Sequence, residues 1–301
     1  MTEDISSKGE RKYLPTNDVI FKCLFGNAGN ERITAKFLED ILGEKIEEVS
    51  TDFKLDLIRA RPKDKQMTAD LIAKDKKLQK YIIEMQRKAY NYLPDRFIGY
   101  LSKTYVADIK VKEKYTSLKR TILIIVLENG FSKLKDIDEY HTIWNYREQN
   151  NSKKVLTKST EIHILELQKY KKQKKKTGKI EPWLEFFIDP YGKEVERMAR
   201  TMEELRAAVE QLRLLNADEE VQQLADAEDW ARYDYNSQLE EEREEARAKG
   251  LREGRKKGRM EGRMEGRAEG RAEGRAEGRA EGRAYNVPIV EDTLRRREPI
   301  N

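Results

Sequence analysis

The sequence predicts an α/β or α+β domain followed by a helical, highly polar C-terminal region. Three observations lead there. Apolar residues keep helical spacing in segments around residues 15–43 and 93–115, short β-branched or alternating runs recur between and after those segments, and strand signals cease beyond about residue 190. With 301 residues, 38% hydrophobic and 39% charged, the chain holds one globular domain of ordinary size plus a segment that buries little.

"PTNDVIFKCLFGN" (15–27) reads as a short amphipathic helix, with Asn17 or Asp18 at its start and Gly26 as its stop. "NERITAKFLEDILGE" (30–44) spaces Ile33, Phe37, Leu38, Ile41 and Leu42 helically until Gly43. Strand-like segments follow near 46–58, 66–73 and 79–87, and the polar "KDKK" (74–77) makes the last two a hairpin. Pro94 opens a further helix striped by Phe97, Leu101, Tyr105 and Ile109. "TILIIVLE" (121–128), continuous and β-branched, is a buried central strand, and 140–148 and 160–167 alternate as two more. These elements place a flexible start at 1–11, the domain at 12–190, helices at 191–249, a four-residue repeat at 250–284 and an unassigned end at 285–301.

The repeat, mostly "GRAE" or "GRME", carries glycine at every fourth position from Gly250 to Gly282. Each glycine costs a helix about 1 kcal/mol relative to alanine. Arg follows Arg and Glu follows Glu at the spacing of one turn, so like charges neighbour each other. A four-residue step overshoots a turn by about 40°, so no fixed apolar seam forms. The segment reads as a marginal helix in a solvated low-complexity tail, with a partner-binding or self-associating segment as the sharper alternative.

Composition excludes several classes. A single cysteine, Cys23, rules out a disulfide framework, and with only His141 and His163 beside it the usual zinc ligand sets are lacking. No apolar run approaches the roughly 20 residues of a membrane span, and the N-terminus lacks the apolar centre of a signal peptide, so a cytoplasmic protein is expected. Net charge is +5, from 61 Lys+Arg against 56 Asp+Glu. The basic block "KYKKQKKKTGK" (169–179) reads as a solvated linker or a phosphate-contacting loop.

The hairpin carries the chemistry. Odd positions Met67, Ala69, Leu71, Ala73, Tyr81, Ile83 and Met85 form an apolar surface, while Thr68, Asp70, Ile72, Ile82, Glu84 and Gln86 share the other side. A turn centred on Lys77 sets Asp70 opposite Glu84, Cβ atoms about 5 Å apart. Two facing carboxylates repel unless a positive group joins them, and oxygen donors from adjacent strands suit a hard ion such as Mg2+. Two ordinary surface carboxylates on a solvent-facing side are the bland alternative.

"PTNDVIFKCLFG", Asp70, "IIEMQ", "DRFIGYLSKTY", "EIHILEL", "EPWLEFF" and the glycine repeat, in that order, resemble the recombination-promoting nuclease (Rpn) family, also described as PD-(D/E)XK nuclease family transposases. The resemblance implies a restriction-endonuclease-like core, a mixed β-sheet flanked by helices, and Mg2+-dependent DNA cleavage in which Mn2+ substitutes. By it Asp70 and Glu84 are metal ligands, and Gln86 stands where most of the superfamily has lysine. Gln86 cannot carry charge, which leaves it to orient water or hydrogen-bond the scissile phosphate. Lys88, Lys22 or Arg96 are candidates for the missing positive charge. Asp18 is an accessory acid or a helix cap, and Arg96 and Tyr100, one turn apart, are candidate phosphate contacts or packing residues. The function expected is endonucleolytic hydrolysis of DNA phosphodiesters, with no covalent intermediate. The alternative is a catalytically weak DNA- or protein-binding module that assembles as a homo-oligomer through its C-terminal region.

Overall fold

The computed structural model describes residues 12–51, 53, 70–110, 112–174 and 176–295, with side chains to Arg283. In chain order the elements are α1 (Asp18–Gly26), α2 (Glu31–Leu42), β1 (Val49–Thr51), β2 (Leu71–Asp75), β3 (Lys80–Gln86), α3 (Leu93–Val106), β4 (Thr121–Leu127), β5 (His141–Trp144), β6 (Thr160–Glu166), α4 (Leu167–Lys172), α5 (Glu181–Ile188), α6 (Lys193–Ala199), α7 (Glu203–Ala217) and α8 (Glu219–Arg295). The strands form one six-stranded mixed sheet in the order β1-β2-β3-β4-β6-β5. β3, β4 and β6 run parallel, and the outer pairings are antiparallel. β4 reads TILIIVL because it is covered on both faces: every residue in it is buried.

The two covers are chemically distinct. Tyr81, Ile83, Ile122, Ile124 and Val126 face a large core shared with α1, α2 and α5, where Phe21, Phe25, Phe37, Trp183 and Phe187 pack ring against ring. Ile82, Leu123, Ile125 and Leu127 face a smaller core closed by Leu93, Phe97 and Leu101 of α3 and by Phe131 and Leu134. The side of the hairpin that bears Glu84 is therefore a packed interior, which removes the reading of Glu84 as a surface charge.

Leu71 pairs with Ile83 and Ala73 with Tyr81, the register expected from a turn about Lys77. The turn is shorter than "KDKK" suggests, because Lys74 and Asp75 belong to β2. Buried Asp75 accepts from the Lys77 and Gln79 amides, each at 2.9 Å, and from the Tyr81 hydroxyl at 3.0 Å, so its carboxylate holds the hairpin closed. Of the strand expected over 46–58, Val49–Thr51 is seen, and residues 52 and 54–69, including Met67, Thr68 and Ala69, lie outside the described residues.

Other local expectations change for physical reasons. α1 is buried on nearly every side rather than amphipathic, because it lies within the larger core. Asn17 caps it, accepting from the Val19 and Ile20 amides at 3.0 and 3.2 Å, so Asp18 is the first helical residue and not the cap. Gly26 does not end α1 by a left-handed turn. A Cβ there would meet the Phe53 ring at 2.6 Å, so close approach is what requires glycine. Gly43 does cap α2 in the left-handed region, at φ 69°. α3 stops at Val106, leaving Ile109 beyond the helix.

The larger core does not end near residue 190, since Val195, Leu205, Leu212, Val221 and Ala225 belong to it. Compact packing divides the chain into one unit ending at Trp230 and another beginning at Ala231. In the second unit the repeat lies within α8, and its described residues are exposed. Among the described residues no helix is long and apolar enough to cross a membrane. The basic block is less solvated than its composition suggests: Tyr170 is buried, Lys169 pairs with Glu166 at 2.5 Å, and Lys176 pairs with Glu185 at 2.6 Å.

Candidate active site

Continuing the β2–β3 register by one residue sets Asp70 opposite Glu84, and the two are tied through the main chain. The Asp70 amide donates to Glu84 Oε1 at 2.9 Å, and the Met85 amide donates to Asp70 Oδ2 at 3.1 Å. Each carboxylate thus accepts from the backbone of the other's strand. Glu84 is fully buried, and the Asp70 side chain is 13% exposed.

α1 delivers the positive charge. Lys22, one turn beyond Asp18 and almost buried, places Nζ 2.9 Å from Asp18 Oδ2 and 3.0 Å from Asp70 Oδ1. Asp18 is turned to this lysine because Asn17 has taken the capping role. From the smaller core, α3 brings Arg96, whose Nε donates to the Tyr100 hydroxyl at 2.6 Å and whose charge acts on Glu84. Gln86, at the end of β3, donates from Nε2 to Glu84 Oε2 at 3.2 Å. Asp18, Lys22, Asp70, Glu84, Gln86, Arg96 and Tyr100 are therefore brought together.

Lys88 is not. β3 ends at Gln86, so the strand parity that would have carried Lys88 to the site is lost, and its ammonium lies 5.7 Å over the Tyr90 ring instead. Arg87 turns to Glu128 and Asp229, at 3.1 and 2.9 Å. Lys22 joins Asp18 to Asp70, and the sequence signal for it is its spacing of four from Asp18 on a helix otherwise composed of core residues.

The electrostatics follow from burial. Glu84 is pushed well above the ordinary carboxylate range, chiefly by desolvation and then by the Asp70 charge, with Arg96 and Lys22 opposing. Asp70 is raised by desolvation first, while Lys22 pulls it down and Asp18 pushes it up. A cation between these oxygens would lower both. Among the described residues no group of three His, Cys, Asp or Glu side chains is set to hold a metal ion, and Lys22 stands between Asp18 and Asp70. Asp70 and Glu84 are the residues that would hold a hard divalent ion, with water completing its shell; in the structure their oxygens accept from Lys22, the Met85 and Asp70 amides and Gln86.

A separate cleft of about 520 Å³ lies between α2 and the β1–β2 edge, lined by Arg32, Lys36, Glu39, Lys74 and Asp75. None of the site residues lines it. Among known proteins, the family model described as PD-(D/E)XK nuclease family transposase matches residues 15–242. No curated protein and no solved structure matches the chain.

Proposed function

The chain belongs to the PD-(D/E)XK nuclease family transposases, and from that premise we propose that it is a Mg2+-dependent DNA endonuclease whose site is built on Asp70, Glu84, Gln86 and Lys22. The observation that supports this reading is the pair of buried carboxylates opposed across β2 and β3, Asp70 paired with Lys22 and Glu84 under the charges of Arg96 and Lys22. Asp70 and Glu84 would hold the divalent ion, which would supply an acidified water and a counter-charge for the phosphate. Lys22 replaces the superfamily lysine from another element, offsetting charge that grows on the phosphate oxygens. The Gln86 amide, neutral at every pH of interest, orients by hydrogen bonding and transfers no proton. Arg96, half-shielded and held by Tyr100, is a phosphate contact on the α3 side.

Plasmid nicking by the purified full chain tests this. Cutting is expected with Mg2+ or Mn2+ and is lost in Asp70→Ala and Glu84→Ala while circular dichroism is unchanged. Lys22→Met should cut about 100-fold more slowly, the order seen on removing one transition-state donor. A wild-type chain that never cuts, or variants that all cut equally, would return the protein to the binding-module reading.

A further inference from the structure

Between Gln86 and Arg96 the chain reads RKAYNYLPD, and its two tyrosines are arranged in a way the cleavage chemistry does not use. The Tyr90 and Tyr92 rings lie stacked, centroids 5.4 Å apart and planes within 6° of parallel. Tyr90 is fixed, packing against the smaller core, and the Lys88 ammonium lies 5.7 Å over its ring. Tyr92 is 55% exposed. The pair is therefore a lower ring packed on the core and carrying an upper one that is more than half exposed, with the Lys88 ammonium over the lower ring.

Its position is set by hydrogen bonds. The Leu93 amide donates to Tyr90 O at 3.0 Å, and the Arg96 amide donates to Tyr92 O at 3.2 Å, so Tyr92 begins the first turn of α3 and Arg96 completes it. Arg96 is the residue whose charge acts on Glu84. The platform thus lies one helical turn from the candidate site, at the end of the strand that carries Glu84 and Gln86.

We infer that Tyr92, supported by Tyr90 and Lys88, is a stacking site for an unpaired nucleobase beside the scissile phosphate; the inference rests on the nuclease reading for its placement. In duplex DNA both faces of an interior base are taken by its neighbours, so an aromatic side chain stacks only on a base that is single-stranded, terminal or turned out. Ring-on-base stacking with a nearby cation tolerates any sequence, because every base has a π-face. The substrate class so selected is DNA with unpaired nucleotides, as in overhangs, flaps and gaps, in preference to continuous duplex.

The test uses the full chain carrying Glu84→Gln, which binds without cutting, and a single-stranded oligonucleotide containing one 2-aminopurine. Binding should quench the fluorescence. Adding Tyr92→Ala should abolish the quench and weaken binding about tenfold, within the range measured for loss of one base–ring stack, while Tyr92→Phe should retain both. In chains with Glu84 intact, Tyr92→Ala should raise KM on overhang DNA while kcat is retained. Equal quench and affinity in Tyr92→Ala, or no binding of the oligonucleotide by the chain with both tyrosines, overturns the stacking site. A quench that depends on Tyr92 in a protein that never cuts upholds the stacking site and overturns the nuclease reading instead.

Discussion

His163 shows what a single buried group does to the fold. It is 3% exposed on β6, with Nδ1 2.9 Å from His141 Nε2 on the neighbouring edge strand, Glu161 3.8 Å from its other nitrogen, and the Arg120 charge nearby. Burial, and then the His141 ring, push it down from 6.5 to about 4. The unfolded chain takes up this proton near 6.5 and the folded chain only near 4, so the contribution is complete above the upper value and is lost as pH falls between them. The loss amounts to up to about 3 kcal/mol. Asp70 and Glu84, both raised, act in the opposite direction, so the comparison must be with a variant. Urea unfolding from pH 7 to pH 4 should show a shallower loss of stability in His163→Gln than in wild type. Parallel curves would mean that His163 takes up its proton at the same pH in the folded and unfolded chain.

At the scale of elements, the hairpin was legible and its surroundings were not. Alternation along β2 and β3 and the polar turn residues fix the register, and with it the opposition of Asp70 and Glu84. Local periodicity does not say what lies over a sheet face, so the side bearing Glu84 and Ile82 looked half-polar in sequence yet is closed by α3. Lys88 was placed by extending a strand that ends two residues earlier, and Asp18 by a capping preference that its neighbour Asn17 satisfies better. The helices after 190 gave no sign of where they pack, since an amphipathic stripe names a face and not a partner. α7 is the sharpest case: Leu205, Ala208, Leu212 and Leu215 complete the same core as Phe21 and Phe25. The Tyr13 amide donates to Asn216 Oδ1 at 2.6 Å, and the Asn216 side chain returns a bond to Tyr13 O at 3.1 Å, joining the first described residues to the last turn of α7. Leu212→Ala should therefore cost about 2–5 kcal/mol, as a truncation in a closed core does. Differential scanning calorimetry should show a single transition moved to lower temperature. A second transition, with that of the sheet unmoved, would restore the boundary near residue 190.

At the scale of the whole chain, the two compact units obey different physics. The unit ending at Trp230 is held by apolar burial, whereas the exposed residues of the repeat leave its helix to backbone bonds and side-chain neighbours on its own surface. Those neighbours are mostly unfavourable. From Arg259 to Arg283 arginines recur every fourth residue, and from Glu261 to Glu281 glutamates do the same, so one-turn neighbours share a sign and opposite charges fall two apart, facing away from each other. The nearby ion pair that does span one turn, Lys257 to Glu261 at 3.8 Å, occurs where lysine interrupts the repeat. Salt screens repulsion as well as attraction, and the Debye length shrinks from about 30 Å at 0.01 M to about 3 Å at 1 M. The helix of an unpaired repeat should therefore strengthen with salt, the reverse of a helix laced by Glu–Arg pairs. Subtracting the far-ultraviolet circular dichroism of a chain ending at residue 249 from that of the full chain isolates this segment, and its helical signal should grow between 0.01 and 0.5 M salt (about 30 Å to about 4 Å of screening). A signal that shrinks over that range would show arginine and glutamate stripes matched across two copies, and the same salt steps would then lower the oligomer mass measured by light scattering.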